Sequence, residues 1–75
     1  MDTTTFLSQM KETLDIEDRE LSLEDKFREL PGWTSLAYLM TISMIDDEYG
    51  IIISADEFKQ LNTIGDIAKA IEAKQ

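Results

Sequence analysis

Residues 35–50 read SLAYLMTISMIDDEYG, the longest stretch of the chain in which apolar residues recur at helical spacing. The pattern predicts a helix from about Ser35 to Tyr49 that ends at Gly50, because glycine readily takes the left-handed conformation that closes a helix. Apolar residues at steps of three and four form the predicted inner face of this helix: Leu36, Leu39, Ile42, Ile45 and Tyr49.

The outer face of this helix would then present Ala37, Met40, Thr41 and Met44. Met40 and Met44 form an exposed pair in this arrangement, and methionine is a soft, adaptable contact residue at protein interfaces. The alternative is a helix rotated about its axis, in which both methionines complete the core.

Acidic residues gather at the end of the same helix, at Asp46, Asp47 and Glu48, and Asp56 and Glu57 extend the patch. Negative charge is unfavourable at a helix C-terminus, so the simple interpretation is a solvated surface. The functional interpretation is a surface that Lys and Arg of partner proteins neutralise. The alternating ligands and central glycine of a calcium loop are absent, so no metal site is predicted.

Three further helices are predicted, one before this segment and two after it. Helix one runs from Thr3 to Leu14, with threonines as N-cap, and carries apolar residues at helical spacing: Phe6, Leu7, Met10 and Leu14. Ser54 caps a short helix that ends near Leu61. The last helix begins with a capping box and buries four residues, Ile64, Ile67, Ala68 and Ile71. Its capping residues are Thr63 and Asp66.

The segments between the helices are predicted to be irregular. Residues 15–34 form a long loop held down by a few apolar side chains, Leu21, Leu23, Phe27, Leu30 and Trp33. Ile51, Ile52 and Ile53 form an extended linker that fills the core, because no second strand is available for pairing. The predicted fold is all-α: a small four-helix bundle of three main helices and a short third helix, in one domain over residues 1–75.

Composition limits the chemistry open to this chain. It has 75 residues, no cysteine and no histidine, so the usual nucleophile and general base are missing and an enzyme is disfavoured. Its net charge of −9 repels nucleic acid and favours basic protein partners. No run is long and apolar enough to cross a bilayer and no secretory signal is recognised, so we expect a cytoplasmic location. We also expect the protein to be a monomer.

Ser35 follows a turn-rich loop, Leu30-Pro31-Gly32-Trp33-Thr34, and opens the central helix. A hydroxyl at this position lies beside unpaired backbone N–H groups and the positive end of the helix dipole. Such a position favours a phosphate. The simple alternative is an ordinary helix-capping serine, since serine is common at helix starts.

The surroundings of Ser35 resemble the modification loop of acyl and peptidyl carrier proteins, whose Asp-Ser-Leu motif carries 4′-phosphopantetheine. Here the motif reads Thr34-Ser35-Leu36, so the capping oxygen is kept and the negative charge is lost. The resemblance extends over nearly the whole chain, through the acidic end of the central helix to Asn62-Thr63-Ile64-Gly65-Asp66-Ile67, which is similar to the family's entry into its last helix.

The resemblance implies a carrier that holds acyl or aminoacyl groups as thioesters on a 4′-phosphopantetheine at Ser35. A separate phosphopantetheinyl transferase would add the group from coenzyme A, and transferring enzymes with basic patches would be the partners. The alternative is an unmodified interaction module that acts through the outer face of the central helix, and Thr34 favours it. Trp33 is expected to cover the loop, with shelter of the prosthetic arm as its other possible role.

Overall fold

The computed structural model describes residues 1–75 and has an all-helical architecture without β-strands. Four α-helices follow one another along the chain: α1 (Thr3–Thr13), α2 (Ser35–Tyr49), α3 (Ala55–Phe58) and α4 (Ile64–Lys74). The long loop contains one 3-10 turn, Phe27–Glu29, that the sequence pattern did not predict. None of the helices is long and apolar enough to traverse a membrane. The predicted fold class and the order of its elements are confirmed.

Helix α1 begins where expected, but its cap was predicted wrongly. The carboxylate of Asp2, and not a threonine hydroxyl, accepts hydrogen bonds from the amides of Thr4 (3.0 Å) and Thr5 (3.4 Å). Asp2 lies one residue before the helix, and its carboxylate also suits the positive end of the dipole. Phe6 and Met10 are fully buried on the inner side of α1.

Helix α2 has the predicted bounds and a rotation that differs from the prediction. Its buried residues are Ala37, Thr41 and Ile45, whereas Leu36 and Leu39 are 65% and 59% exposed. Thr41 can be buried because its hydroxyl donates to the carbonyl of Ala37 at 2.8 Å, which satisfies the group within its own turn.

The rotation of α2 has a physical reason in the sizes of its side chains. Alanine and threonine are small, and turning them inward lets the helix axis approach α1 and the core. The apolar residues of α2 lie on all sides, so helical periodicity alone cannot choose between faces. The predicted inner positions Ile42 and Tyr49 are half-buried and pack against the core, and only Ile45 is fully buried as expected.

The long loop between α1 and α2 is held to the start of α4 by backbone hydrogen bonds. The amide of Phe27 donates to Asn62 (3.3 Å), that of Ile64 to Asp25 (3.0 Å) and that of Gly65 to Leu23 (2.8 Å). Three of the five predicted anchors, Leu21, Phe27 and Leu30, are buried, and the other two, Leu23 and Trp33, pack on the core while half-exposed. These contacts explain how a long loop holds one conformation and delivers its end to α2.

The second half of the chain follows the prediction closely. Ile51 and Ile53 are buried and the intervening Ile52 is exposed, as in an extended segment with alternating sides. Ser54 caps α3 by accepting from the amide of Glu57 at 3.2 Å, although the helix ends at Phe58 and not near Leu61. The capping box of α4 is confirmed, and its four predicted inner residues are all buried. The core they complete with α1 and α2 leaves Ser35 and Leu36, the first two residues of α2, at the surface.

Candidate functional site

Ser35 is exposed and is the first residue of α2. Thr34 precedes it in an extended conformation, and its hydroxyl accepts a hydrogen bond from the amide of Ala37 at 3.2 Å. The first turn of α2 contains no acidic residue. The Ser35 hydroxyl therefore stands free at the positive end of a fifteen-residue helix, in the position that the sequence predicted.

A groove of about 420 Å³ opens beside this hydroxyl, between the start of α2 and helix α3. Three aromatic side chains line it, Trp33 before the serine, Tyr38 one turn after it and Phe58 from α3. Arg28 and Lys59 also line it, and no carboxylate does. In a chain with sixteen acidic residues, the two charged side chains that line this groove are both cationic.

The aromatic wall of the groove continues into the core as a packed cluster. Phe27 lies edge-on to Trp33 and to Phe58, with ring centroids 5.0 Å and 5.1 Å apart. Tyr38 contacts Phe58 in the same edge-on manner at 5.0 Å, and Trp33 lies parallel to Phe58 at 6.4 Å. Both roles considered for Trp33 are thus compatible with its position, since it covers the loop and lines the groove.

Arg28 connects this cluster to the end of α3. Its guanidinium lies 4.7 Å from the ring centroid of Phe27 and donates to the carbonyl of Phe58 at 2.9 Å. Arg28, Tyr38, Phe58 and Lys59 were not predicted from the sequence as site residues. Only Tyr38, three residues after Ser35, is placed near it by local helical geometry, because the others reach the groove through tertiary packing.

Of the two methionines predicted to bind partners, Met40 is exposed, and it lies beside Leu36 and Leu39, which were predicted to face the core. Leu36, Leu39 and Met40 form an exposed apolar strip along α2, with Met40 45% exposed. Met44, predicted to be exposed, is half-buried and packs against the core, so the predicted Met40/Met44 pair is replaced by a Leu36, Leu39 and Met40 surface. The rotation of α2 described above is the cause.

The acidic residues are placed as expected at the far end of α2. Asp46, Asp47 and Glu48 are all exposed, as is Asp56 on α3. Glu57 instead forms an ion pair with Lys74 of α4 at 2.9 Å, which partly neutralises it. No group of three or more acidic side chains is arranged to hold a metal ion.

A hydroxyl in this setting can accept a covalent group but cannot activate itself. The chain contains no histidine, and no carboxylate lines the groove that could serve as a base for Ser35. A phosphodiester on the serine oxygen would be stabilised by the helix dipole and by the two nearby cations. The residues present therefore fit a phosphate-linked prosthetic group that another enzyme attaches.

Comparison with known proteins identifies such a group. A family model described as a phosphopantetheine attachment site matches residues 4–71. The acyl carrier protein of Exiguobacterium sibiricum is 30% identical over 63 residues, which cover 84% of this chain and 80% of that protein. The solution NMR structure of holo acyl carrier protein from Geobacter metallireducens has the same fold, with a TM-score of 0.81 at 21% identity, over 95% of this chain and 82% of that one.

These matches assign a prosthetic group and a class of activity. The family model indicates 4′-phosphopantetheine, and proteins of this type are carriers that work with transferases and partner enzymes and do not themselves catalyse reactions. The family model spans most of the chain, and the structure places an exposed serine, Ser35, at the start of α2 within the matched residues. The chain belongs to the phosphopantetheine-binding carrier proteins, the family that includes the acyl carrier proteins.

Proposed function

We propose that this chain carries acyl or aminoacyl groups between enzymes on a 4′-phosphopantetheine joined to Ser35, as a single monomeric domain of residues 1–75. The observation that carries the proposal is the exposed Ser35 hydroxyl at the first position of α2, beside a groove with two cations and no acid. When bound, the prosthetic group supplies the thiol that holds cargo as a thioester.

The residues around Ser35 have separate tasks in this proposal. Thr34 closes the helix start and fixes the direction of the serine, and Arg28 and Lys59 offset the negative charge of a phosphodiester. Leu36 follows the serine on the exposed face of α2 and gives the modifying transferase an apolar contact beside its target.

Partner enzymes would recognise the outer face of α2. Leu36, Leu39 and Met40 offer an apolar patch next to the attachment point, and Asp46, Asp47 and Glu48 offer negative charge beyond it. Met44, at the edge of the patch, and Glu57 of α3 contribute less because both are partly engaged within the molecule, whereas Asp56 is exposed and extends the negative charge. The proposed contact combines central apolar burial with an acidic rim that steers basic partners.

Incubation of the purified chain with coenzyme A and phosphopantetheinyl transferases tests the attachment. We expect the intact mass to rise by one phosphopantetheine and the gain to vanish in Ser35→Ala. Ser43→Ala is the matched control, because Ser43 is an exposed serine on the same helix. A mass gain that persists in Ser35→Ala contradicts the proposal. The absence of a mass gain with every transferase contradicts it as well.

A second candidate function is an unmodified interaction module of the same fold. Two observations favour it: threonine replaces the family's aspartate at position 34, and apolar residues instead of acids occupy the exposed face beside Ser35. The module is supported if no transferase modifies the chain while a binding partner is lost in Met40→Glu and retained in Ser35→Ala. Modification together with cargo transfer excludes it.

A further inference from the structure

The two cations that line the groove beside Ser35 differ in how they are held. Arg28 is engaged within the protein, because its guanidinium donates hydrogen bonds to two backbone carbonyls at and just after the end of α3. Lys59 is exposed and takes part in none of the four ion pairs of the structure. Glu57, two residues before it, pairs with Lys74 instead. The ammonium group of Lys59 is therefore free to contact an anion at the groove.

The part of a phosphopantetheine arm that lies next to the serine has a fixed chemistry. The phosphodiester comes first, and the carbon segment after it carries a pair of methyl groups. The amides and the thiol that holds cargo lie farther out. Residues beside Ser35 can therefore contact the phosphate and the dimethyl segment, whatever the cargo is.

The groove offers a suitable surface for each of these two parts. Lys59 lines it next to the start of α2, and an anion is stabilised both by a cation and by the free amides of a helix N-terminus. Trp33, Tyr38 and Phe58 line the same groove with aromatic rings, on which methyl groups are removed from water. The volume of the groove, about 420 Å³, lies within the range of about 300–1,000 Å³ found for ligand pockets.

The exposed face of α2 lacks both a groove and a cation. Leu36, Leu39 and Met40 are exposed on this helix, and none of them lines the groove. Helix α2 contains no basic residue, and its charged residues are the acids at its far end, Asp46, Asp47 and Glu48. A phosphate is therefore favoured on the side of Ser35 that faces α3 and not on the side of the apolar strip.

We propose that Lys59, Trp33, Tyr38 and Phe58 form a resting site for the phosphopantetheine arm between encounters with partner enzymes. The ammonium group of Lys59 binds the phosphate, and the three rings receive the dimethyl segment. The proposal rests on the attachment at Ser35 and names the residues that orient the arm. The apolar strip of α2 stays uncovered, so a partner can dock there before the arm leaves the groove.

The modified protein, prepared with coenzyme A that carries ¹³C in its pantoyl methyl groups, tests this inference by NMR under reducing conditions. Intact mass establishes attachment first. If nothing attaches, the proposed function fails and the resting site fails with it. In the modified protein we expect NOEs from the labelled methyl groups to the rings of Trp33, Tyr38 and Phe58. We also expect the emission of Trp33, the only tryptophan, to differ between the modified and unmodified chains.

Two results overturn the resting site and leave the attachment at Ser35 intact. One is a set of NOEs that runs predominantly to the side chains of Leu36, Leu39 and Met40. The other is the absence of NOEs from the labelled methyl groups to any ring of the groove in a protein whose mass shows complete modification.

Variants of Lys59 test the contact with the phosphate. Lys59→Met keeps an unbranched apolar stem and removes the charge. One exposed ion pair changes an equilibrium by up to about five-fold, so we expect the ring NOEs to weaken by up to that factor, and Lys59→Arg to retain them. Lys69→Met is the matched control, because Lys69 is an exposed lysine on α4 that does not line the groove. Equal NOE intensities in the two methionine variants, with helicity confirmed by circular dichroism, would overturn the assignment of Lys59.

Discussion

The amide of Gly65 donates a hydrogen bond to the backbone carbonyl of Leu23 at 2.8 Å, and a Cβ at position 65 would lie 3.0 Å from that oxygen. The same Cβ would lie 3.3 Å from the Cβ of Leu23. This contact holds the long loop against the beginning of α4. The same loop leads to Ser35, the proposed attachment residue.

Gly65→Ala is expected to destabilise the protein although alanine is the better helix former. Propensity alone favours the change by up to about 1 kcal/mol. Overpacking against a backbone carbonyl that cannot rotate away costs about 1–3 kcal/mol. Urea unfolding followed by circular dichroism measures the net change. A higher free energy of unfolding in Gly65→Ala would show that the loop moves aside at little cost and that helix propensity dominates.

Gly50 is expected to be required at the end of α2 for conformational reasons alone. Its φ is +68°, and a Cβ there would meet nothing within 4 Å, so any loss on substitution comes from the backbone. Gly50→Ala should lower the free energy of unfolding by about 1–2 kcal/mol. Gly50→Asn is the matched variant, and its free energy of unfolding should fall by less, because asparagine tolerates this conformation. Equal losses in thermal or urea unfolding would contradict this explanation.

The rotation of α2 can be tested by comparing two apolar residues on the same helix. Leu39→Ala is expected to change the free energy of unfolding by no more than about 0.5 kcal/mol, because Leu39 is mostly exposed. Ile45→Ala should cost about 2–5 kcal/mol, because Ile45 is fully buried and its removal leaves a cavity. A cost for Leu39→Ala as large as that for Ile45→Ala in urea unfolding would restore the rotation predicted from sequence, in which both residues face the core.

Stability is expected to fall in acid partly through Asp66. Its carboxylate accepts the amides of Asn62 and Thr63, at 2.9 Å and 3.1 Å, and these hydrogen bonds lower the pKa of Asp66. A pKa lowered by folding gives stability that is fully present above the unfolded pKa of about 3.9 and is lost as the pH falls through the folded value.

Asp66→Asn should therefore be less stable than the natural sequence at pH 7, with a difference that shrinks as the pH falls below about 4. Urea midpoints from pH 7 down to pH 3 measure it. Asp18→Asn, which removes one exposed negative charge from the long loop, is the control for net charge. If the difference in urea midpoint between Asp66→Asn and the natural sequence stays constant across this range, Asp66 does not contribute to the loss of stability in acid.

Local signals in the sequence were sufficient for several parts of this protein. The bounds of α2 and the Thr63–Asp66 capping box depend on hydrogen bonds between residues within a few positions of each other, and both were predicted correctly. The exposed position of Ser35 at a helix start follows from the same kind of signal. The Asp2 cap was missed because three threonines nearby offered the same hydrogen bond.

The sequence by itself determined which segments become helices and where Ser35 stands, because those properties are settled by neighbours along the chain. Only the tertiary structure decided which face of α2 is exposed, since apolar side chains surround that helix and the fit of Ala37 and Thr41 against the core selects its rotation. The tertiary structure also determined the position and the lining of the groove, whose wall combines Arg28, Tyr38 and Phe58 from distant parts of the chain. Packing brings these residues together, and no local pattern encodes their proximity.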